Sequence, residues 1–505
     1  MKRFFRWLFS WRTARRALIC VAVLATLAGL FRAEENWRGK HAWNKYRQEL
    51  ESRGEQLDFK AFIPKPIPDD QNFAATPLIK SWFTERTNYN ARWNDSYSRA
   101  ENIVKADKDH RGITDLVAWG RVFASTNANG KVESGPLDMA SRAKAVPSTL
   151  EALKTNEAVF AALRAASLRP NSRYPVQYNL EDPWGILLPH LGNLRQVCRR
   201  LDLKACAELA AGQSGNALED VKLMLYLTDS VKEEPFLISY LVRIACLQIA
   251  VQPIWEGLAE HRWSDAQLQE LQTRLPPCDF VADLKQPLDS EQAAGILTVD
   301  LLLKGKYHIA QLANSVEPRV TINEVAFRVI PRGWYYQEQL TYCALHQEQV
   351  KGTFDATRKR VSPSQVALNA GELNRELSEG RLESVGAILH HHVMAGLLLP
   401  ALQRITLKAA IAQTVSDQAA LACALERYRL ANGQFPETLG ALVPRFISPM
   451  PHDVITGEPY KYRRMDDGQF VLYSVGWNEK DDGGVPGKTL FDEKEGDWVW
   501  QYPAR

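Results

Sequence analysis

The hydrophobic positions change period several times along this chain, and each change marks an element. Ala17 to Phe31 is an apolar run without a charge, which as a helix rises about 22 Å against a hydrocarbon core of roughly 30 Å. From Glu34 to Arg53 the chain is charged, with Trp37 and then Trp43, Tyr46 and Leu50, the last three at helical spacing, before the helix-stop signal Gly54. Phe62-Ile-Pro-Lys-Pro-Ile-Pro-Asp-Asp70 carries proline at alternate positions, which predicts an extended spacer. Gln71 to Val146 is polar and irregular, with turn signals at Asn127-Ala-Asn-Gly130 and Gly135-Pro136.

From Pro147 to about Leu275 the spacing becomes helical, as in Leu150, Leu153, Val159 and Leu163. Within it, Leu201 to Val231 reads as two helices around Gly212-Gln-Ser-Gly215, an α-hairpin. One hairpin without a sustained repeat period predicts a single irregular helical domain rather than a solenoid. Ser264-Asp-Ala-Gln267 is a capping box, and Ser362-Pro-Ser-Gln365 has the same logic with proline at the first helical position. Met394 to Leu430 is the longest helix-compatible stretch, interrupted at Pro400 and free of proline and glycine from Ala401 to Gly433. Beyond it, Tyr460-Lys-Tyr-Arg-Arg464 and Phe470-Val-Leu-Tyr-Ser474 alternate as strands do.

The predicted fold class is mainly α, with an N-terminal membrane anchor, an irregular helical middle domain with α-hairpins, and a small C-terminal α+β module on a long helix. The predicted segments are a basic flank (1–16), a signal anchor (17–31), a membrane-proximal helix (32–61), an irregular segment (62–146), the helical domain (147–393) and the C-terminal module (394–505).

Composition and charge narrow the setting. A chain of 505 residues exceeds one usual core, and 45% hydrophobic with 24% charged residues excludes general disorder. With 62 basic and 59 acidic residues, there is no general field for phosphate backbones, so no nucleic-acid partner is expected. Lys2, Arg3, Arg6, Arg12, Arg15 and Arg16 precede the apolar run without an acid, the arrangement of a cytoplasmic flank. The expectation is a single-pass inner-membrane protein with its bulk periplasmic. Trp7 and Trp11 at the headgroups, with Arg15, Arg16 and Arg32 snorkelling, suit a slightly short span, expected to be the one credible span because the apolar part of the long C-terminal helix is too short to cross. The alternative is a signal peptide cut near Thr26 to Ala28. Cys198 and Cys206, eight residues apart on one helix, cannot pair; buried thiols are expected, with long-range disulfides as the alternative.

The C-terminal part carries a resemblance. Leu397-Leu-Leu-Pro-Ala-Leu402, Ala424-Leu-Glu-Arg-Tyr-Arg429, Asn432-Gly-Gln-Phe-Pro436, Pro451-His-Asp-Val-Ile-Thr-Gly-Glu-Pro-Tyr460, Tyr473-Ser-Val-Gly476, Asp481-Asp-Gly-Gly484 and Asp497-Trp-Val-Trp500 stand in order. Together they resemble type IV pilin-like proteins, most of all the major pseudopilin of type II secretion, over roughly the last fifth of the chain. Unlike that family, the helix is internal and its apolar part, Val393 to Leu402, is too short to span. The resemblance implies a calcium loop with Asp481, Asp482 and Asp497 as metal ligands. Asp492, Glu493 and Glu495 add oxygen donors nearby, although the spacing is not that of an EF-hand.

Other constellations have plainer readings. Three adjacent imidazoles at His390-His-His392 point about 100° apart on a helix and cannot share one ion. Trp334-Tyr-Tyr336 after Pro331-Arg-Gly333 reads as a loop anchored on the core, and Asp69-Asp70 and Glu181-Asp182 as solvated turn acids. No nucleophile elbow, P-loop, dinucleotide fingerprint or His-Glu-x-x-His occurs, so no catalytic or cofactor-binding residue is nominated. The expected function is structural or interaction-based, with the membrane and an envelope protein as partners. The rival is an envelope hydrolase or ligand-binding protein with its site between the helical domain and residues 71–146. A third reading, a secretion-filament subunit, requires processing upstream of Met394.

Overall fold

The structure, a computed structural model, describes residues 11–84, 95–104, 111–125, 142–275, 279–316, 327, 329–378 and 385–502. Trp7, the first basic residues, Cys278 and the turn signals at 127–130 and 135–136 lie outside them. The chain is mainly helical, with an apolar N-terminal helix and a small antiparallel sheet near its C-terminus.

Helix α1, Trp11–Ser52, is one unbroken element of 42 residues, about 63 Å long. The apolar run and the membrane-proximal segment are therefore not separate elements, and the helix stops at Ser52 rather than 61, with Gly54 left-handed at φ +83°. Glu35, Gly39, Trp43 and Leu50 are buried along one face, with Tyr46 half-buried between them, the seam of a helix that docks one stripe. Short helices follow at Pro77–Thr84, Ser96–Glu101, Leu116–Ser125, Arg142–Leu153 and Glu157–Ala166, where the sequence showed no clear period before residue 147. Their apolar residues are too few per element to set a period. Those of Ser96–Glu101, Leu116–Ser125 and Arg142–Leu153 gather instead in one tertiary cluster in which Tyr97 stacks on Trp119 and Phe123 tilts against Trp119, beside Leu203.

The middle of the chain pairs α2 (Pro189–Ala210) with α3 (Ser214–Asp229) across a turn at Gly212, φ +75°, and packs both on α4 (Leu237–Ala259). Helix α5 (Asp265–Arg274) begins in the complete Ser264/Gln267 box. Helix α6 (Lys285–Leu303) packs against α7 (Arg332–Leu345). At α8 (Pro363–Ser378) only half the box forms: Ser362 Oγ accepts the Gln365 amide at 3.4 Å, while the Gln365 side chain donates to Asn369 at 2.6 Å. Helices α9 (Val385–Leu389) and α10 (Val393–Leu398) lead into α11 (Ile405–Asn432), closed by Gly433 at φ +83°.

Strands β1 (Lys461–Arg464), β2 (Phe470–Ser474) and β3 (Trp498–Trp500) form an antiparallel sheet in sequence order, with Tyr462 opposite Leu472 and Leu472 opposite Trp500. The apolar core runs without a break from Trp43 to Trp500. Cys198, Cys206, Cys246, Cys343 and Cys423 are buried free thiols, and Cys20 is exposed on α1. By length and composition alone three helical stretches suit a membrane, Thr13–Ser52, Leu237–Ala259 and Val393–Asn432. This corrects the expectation of a single credible span. Burial separates them: none of the apolar window of the first is covered by protein, against 61% and 67% for the others.

Candidate functional site

The tightest junction in the molecule is where α1 enters the body. A side chain at Gly39 would overlap the Gly333 carbonyl, and one at Gly333 would overlap the Glu35 carbonyl. Glycine on both helices permits this approach. Polar bonds then fix the register. Asn36 Oδ1 accepts the Gly333 amide at 2.8 Å, Glu35 Oε2 accepts Trp334 Nε1 at 2.8 Å, and Arg32 donates to the carbonyls of Val329 at 2.9 Å and Ile330 at 3.4 Å. Burial opposes ionisation of Glu35, but the bonds from Arg38 and Trp334 outweigh it and hold the carboxyl below its usual range. Trp334-Tyr-Tyr336 is thus the first turn of α7 and a docking surface for α1, not a loop.

The histidine triplet sits behind this junction, between α9 and α10. His391 is left-handed at φ +58° and meets the Trp334 ring edge-on at 5.4 Å. Burial pulls its imidazole down to about 4, with Arg38 and the two flanking histidines acting in the same direction and Glu35 opposing. Glu338 on α7 accepts the amides of Met394 at 2.9 Å and Val393 at 3.4 Å, capping α10 from another helix. Burial pushes that carboxyl up to about 8 despite these bonds.

Carboxyls raised towards neutrality flag active sites when they converge. Here they are dispersed. Burial lifts Asp202 on α2 and Asp417 on α11 to about 7 each, and their bonds go to Cys206 in one case and to Gln413 and Tyr460 in the other. The arrangement nearest to a catalytic set is His190, Glu234 and Ser239. His190 Nε2 lies 2.7 Å from Glu234 Oε1, and Ser239 Oγ donates to Glu234 Oε2 at 2.5 Å. The hydroxyl therefore meets the carboxylate rather than the imidazole, which is not the Ser–His–acid order of a catalytic triad. The site is buried, with the imidazole in a cluster with the rings of Tyr174 and Phe83 at 4.2 and 5.2 Å.

No match to this chain is found among protein-family models, curated proteins or solved structures.

The acidic loop follows β2. Asp497 accepts the amides of Gly484 at 2.6 Å and Asp482 at 3.2 Å. Asp482 Oδ2 accepts Asn478 Nδ2 at 3.0 Å and the Gly496 amide at 3.2 Å. Asp481 turns away, accepting Tyr473 Oη and the Gly483 amide, both at 3.0 Å, with Lys461 at 3.7 Å. Asp482 and Asp497 are joined through the loop's backbone amides. Burial raises the Asp497 carboxyl, and Asp481, although bonded elsewhere, is close enough for its charge to help raise it. The open groove beside them, about 600 Å³, has Lys480, Lys488 and Lys494 on its walls. Among the described residues no group of three or more His, Cys, Asp or Glu side chains is placed to hold a metal. This arrangement does not fit calcium, which takes about six to eight oxygens.

Between the helical domain and the described part of residues 71–146 the structure places ion pairs. Arg200, fully buried, bonds Asp95 at 2.7 and 3.0 Å and Gln196 at 2.8 Å beneath the Tyr97 ring. Buried Glu256 pairs with Arg142 and accepts from Thr114 Oγ1 at 2.9 Å. These groups lock the two regions together and leave their polar atoms facing one another. Sequence reasoning missed them, as it missed His190–Glu234, because partners so far apart along the chain leave no local pattern. Glu35 and Gly39 did leave one, a spacing of four continuous with Trp43.

Proposed function

We propose that this chain is a membrane-anchored protein whose body lies outside the cytoplasm and serves the cell envelope as a structural or interaction component. The observation that carries this reading is the junction of α1: an apolar stretch left unburied by the protein continues unbroken into a seam clamped by Gly39, Gly333 and Glu35. The basic residues before the run support the orientation. The order of α11, β1, β2, acidic loop and β3 supports reading residues 394–505 as a pseudopilin-like unit. Here its helix serves as the spine of a larger body, which argues for a borrowed folding unit and against a filament subunit. Dispersed titratable groups and interlocked ion pairs favour interaction over hydrolysis.

The test is fractionation of intact cells with protease protection and crosslinking. The expected result is one full-length chain in the inner-membrane fraction, cleaved by protease only after the outer barrier is opened, and crosslinked to an envelope protein. A soluble chain, or no crosslinked partner in intact membranes, would overturn it.

A further inference from the structure

Residues bonded to the first turn beyond the apolar run share its depth. Arg32, one position past Phe31, donates to the Val329 and Ile330 carbonyls. Glu35 holds Trp334, whose ring meets His391, two residues beyond the end of α9 at Leu389. Arg32 to Glu35 lie within about 6 Å of Phe31 along the helix axis. The polar layer of a bilayer is roughly 5–7 Å deep on each side. With Phe31 at the hydrocarbon edge, Val329 and Ile330, bonded to Arg32, stand in that layer, and Gly333, packed between Glu35 and Gly39, lies at its outer margin with Trp334 and the end of α9 beside it.

Their chemistry suits the place. Val329 is 61% exposed and Leu389 55% exposed, two apolar side chains on the surface next to the span. Exposed Arg32 and Arg332 flank them, cations suited to lipid phosphates with stems that lie along apolar surface. We infer that the body makes a second membrane contact through Val329 and Leu389, which dip into the headgroup layer of the leaflet where α1 emerges. The occupant of this surface is the lipid bilayer, because α1 delivers both side chains to it. Apolar area covered there adds to the hold of a span that is short for its bilayer. This inference rests on α1 spanning the membrane.

The experiment uses the full chain in lipid nanodiscs with a benzophenone amino acid placed singly at 329, 389, 23 or 485. Val23 lies in the apolar run, and Val485, 59% exposed in the acidic loop, is the control. Melting temperatures equal to that of the unmodified chain establish that each variant is folded. Lipid adducts at 329 and 389, several-fold above those at 485 and accompanied by adducts at 23, are the expected result. Adducts at 23 alone, or protein adducts in place of lipid at 329 and 389, overturn the second contact and leave the anchor standing. No lipid adduct at 23 overturns the anchor reading and this inference with it.

Discussion

Helices α1 and α11 are both long and rich in apolar residues, yet α11 is encased on nearly every side while the apolar run of α1, Ala17 to Phe31, is exposed throughout. Polar residues mark the difference. Along α11, Gln413 Oε1 accepts the Phe280 amide at 2.7 Å, Gln418 donates to the Trp498 carbonyl at 2.7 Å, and Arg427 donates to Gln272 at 2.8 Å. Each side chain has a partner that only a folded body supplies. Between Ala17 and Phe31 the sole hydroxyl, Thr26, bonds its own helix. A helix with distributed polar groups and external partners is built for a protein interior, and one that satisfies itself is built for lipid.

The sharpest way to break this comparison is a charge in each helix. Leu421→Asp, at a fully buried position of α11, should cost about 4 kcal/mol or more and leave no cooperative melting transition. Leu24→Asp should leave the melting of the body in detergent unchanged and deplete the membrane fraction, an insertion cost of about 2.5–3.5 kcal/mol. Equal loss of folding in both variants would erase the distinction.

Next in size is pH. Glu338 has a folded value of about 8 against an ordinary 4.5, so the fold holds its proton more tightly than the unfolded chain does. Its contribution is present in full below about 4.5 and is lost as pH rises towards 8. Glu338→Gln should flatten the fall in melting temperature between pH 5 and 8, a difference of a few kcal/mol at the alkaline end; an unchanged slope would count against a buried carboxyl there. The junction itself is tested by Gly333→Ala, where the added methyl meets the α1 backbone and should cost about 2–3 kcal/mol in a thermal melt. Gly433→Ala at the left-handed end of α11 should cost about 1 kcal/mol. Smallest of all, calcium should leave the melting temperature and the proteolysis of the acidic loop unchanged, because Asp481, Asp482 and Asp497 are already bonded within the loop.

What was legible in the sequence was local. Trp43, Tyr46 and Leu50 announce their face because a helix repeats within their own span, and Ser264 with Gln267 announces a start because both bonds close within one turn. Gly433 marks the end of α11 for the same reason. The segment after Pro331-Arg-Gly333 was misread as a loop, whereas Gly333 lies in a helix and its missing side chain makes room for another helix about 300 positions away. Arg200, Glu256 and His190 were invisible as partners because buried pairs are set by tertiary placement. In the candidate site, the acids of the loop were legible as a cluster, but not their orientation, which the turns at Gly483, Gly484 and Gly496 decide.

The unbroken course of α1 has a mechanical consequence. With no hinge between span and body, a lean of one is a lean of the other, and the body cannot swivel to absorb a mismatch in thickness. Tilting shortens a helix across the bilayer, so a run of about 22 Å gains nothing from it. If α1 spans as proposed, snorkelling by Arg15, Arg16 and Arg32 and local thinning of the bilayer are the remedies left, and thinning would sort the protein laterally into the thinner regions of its membrane.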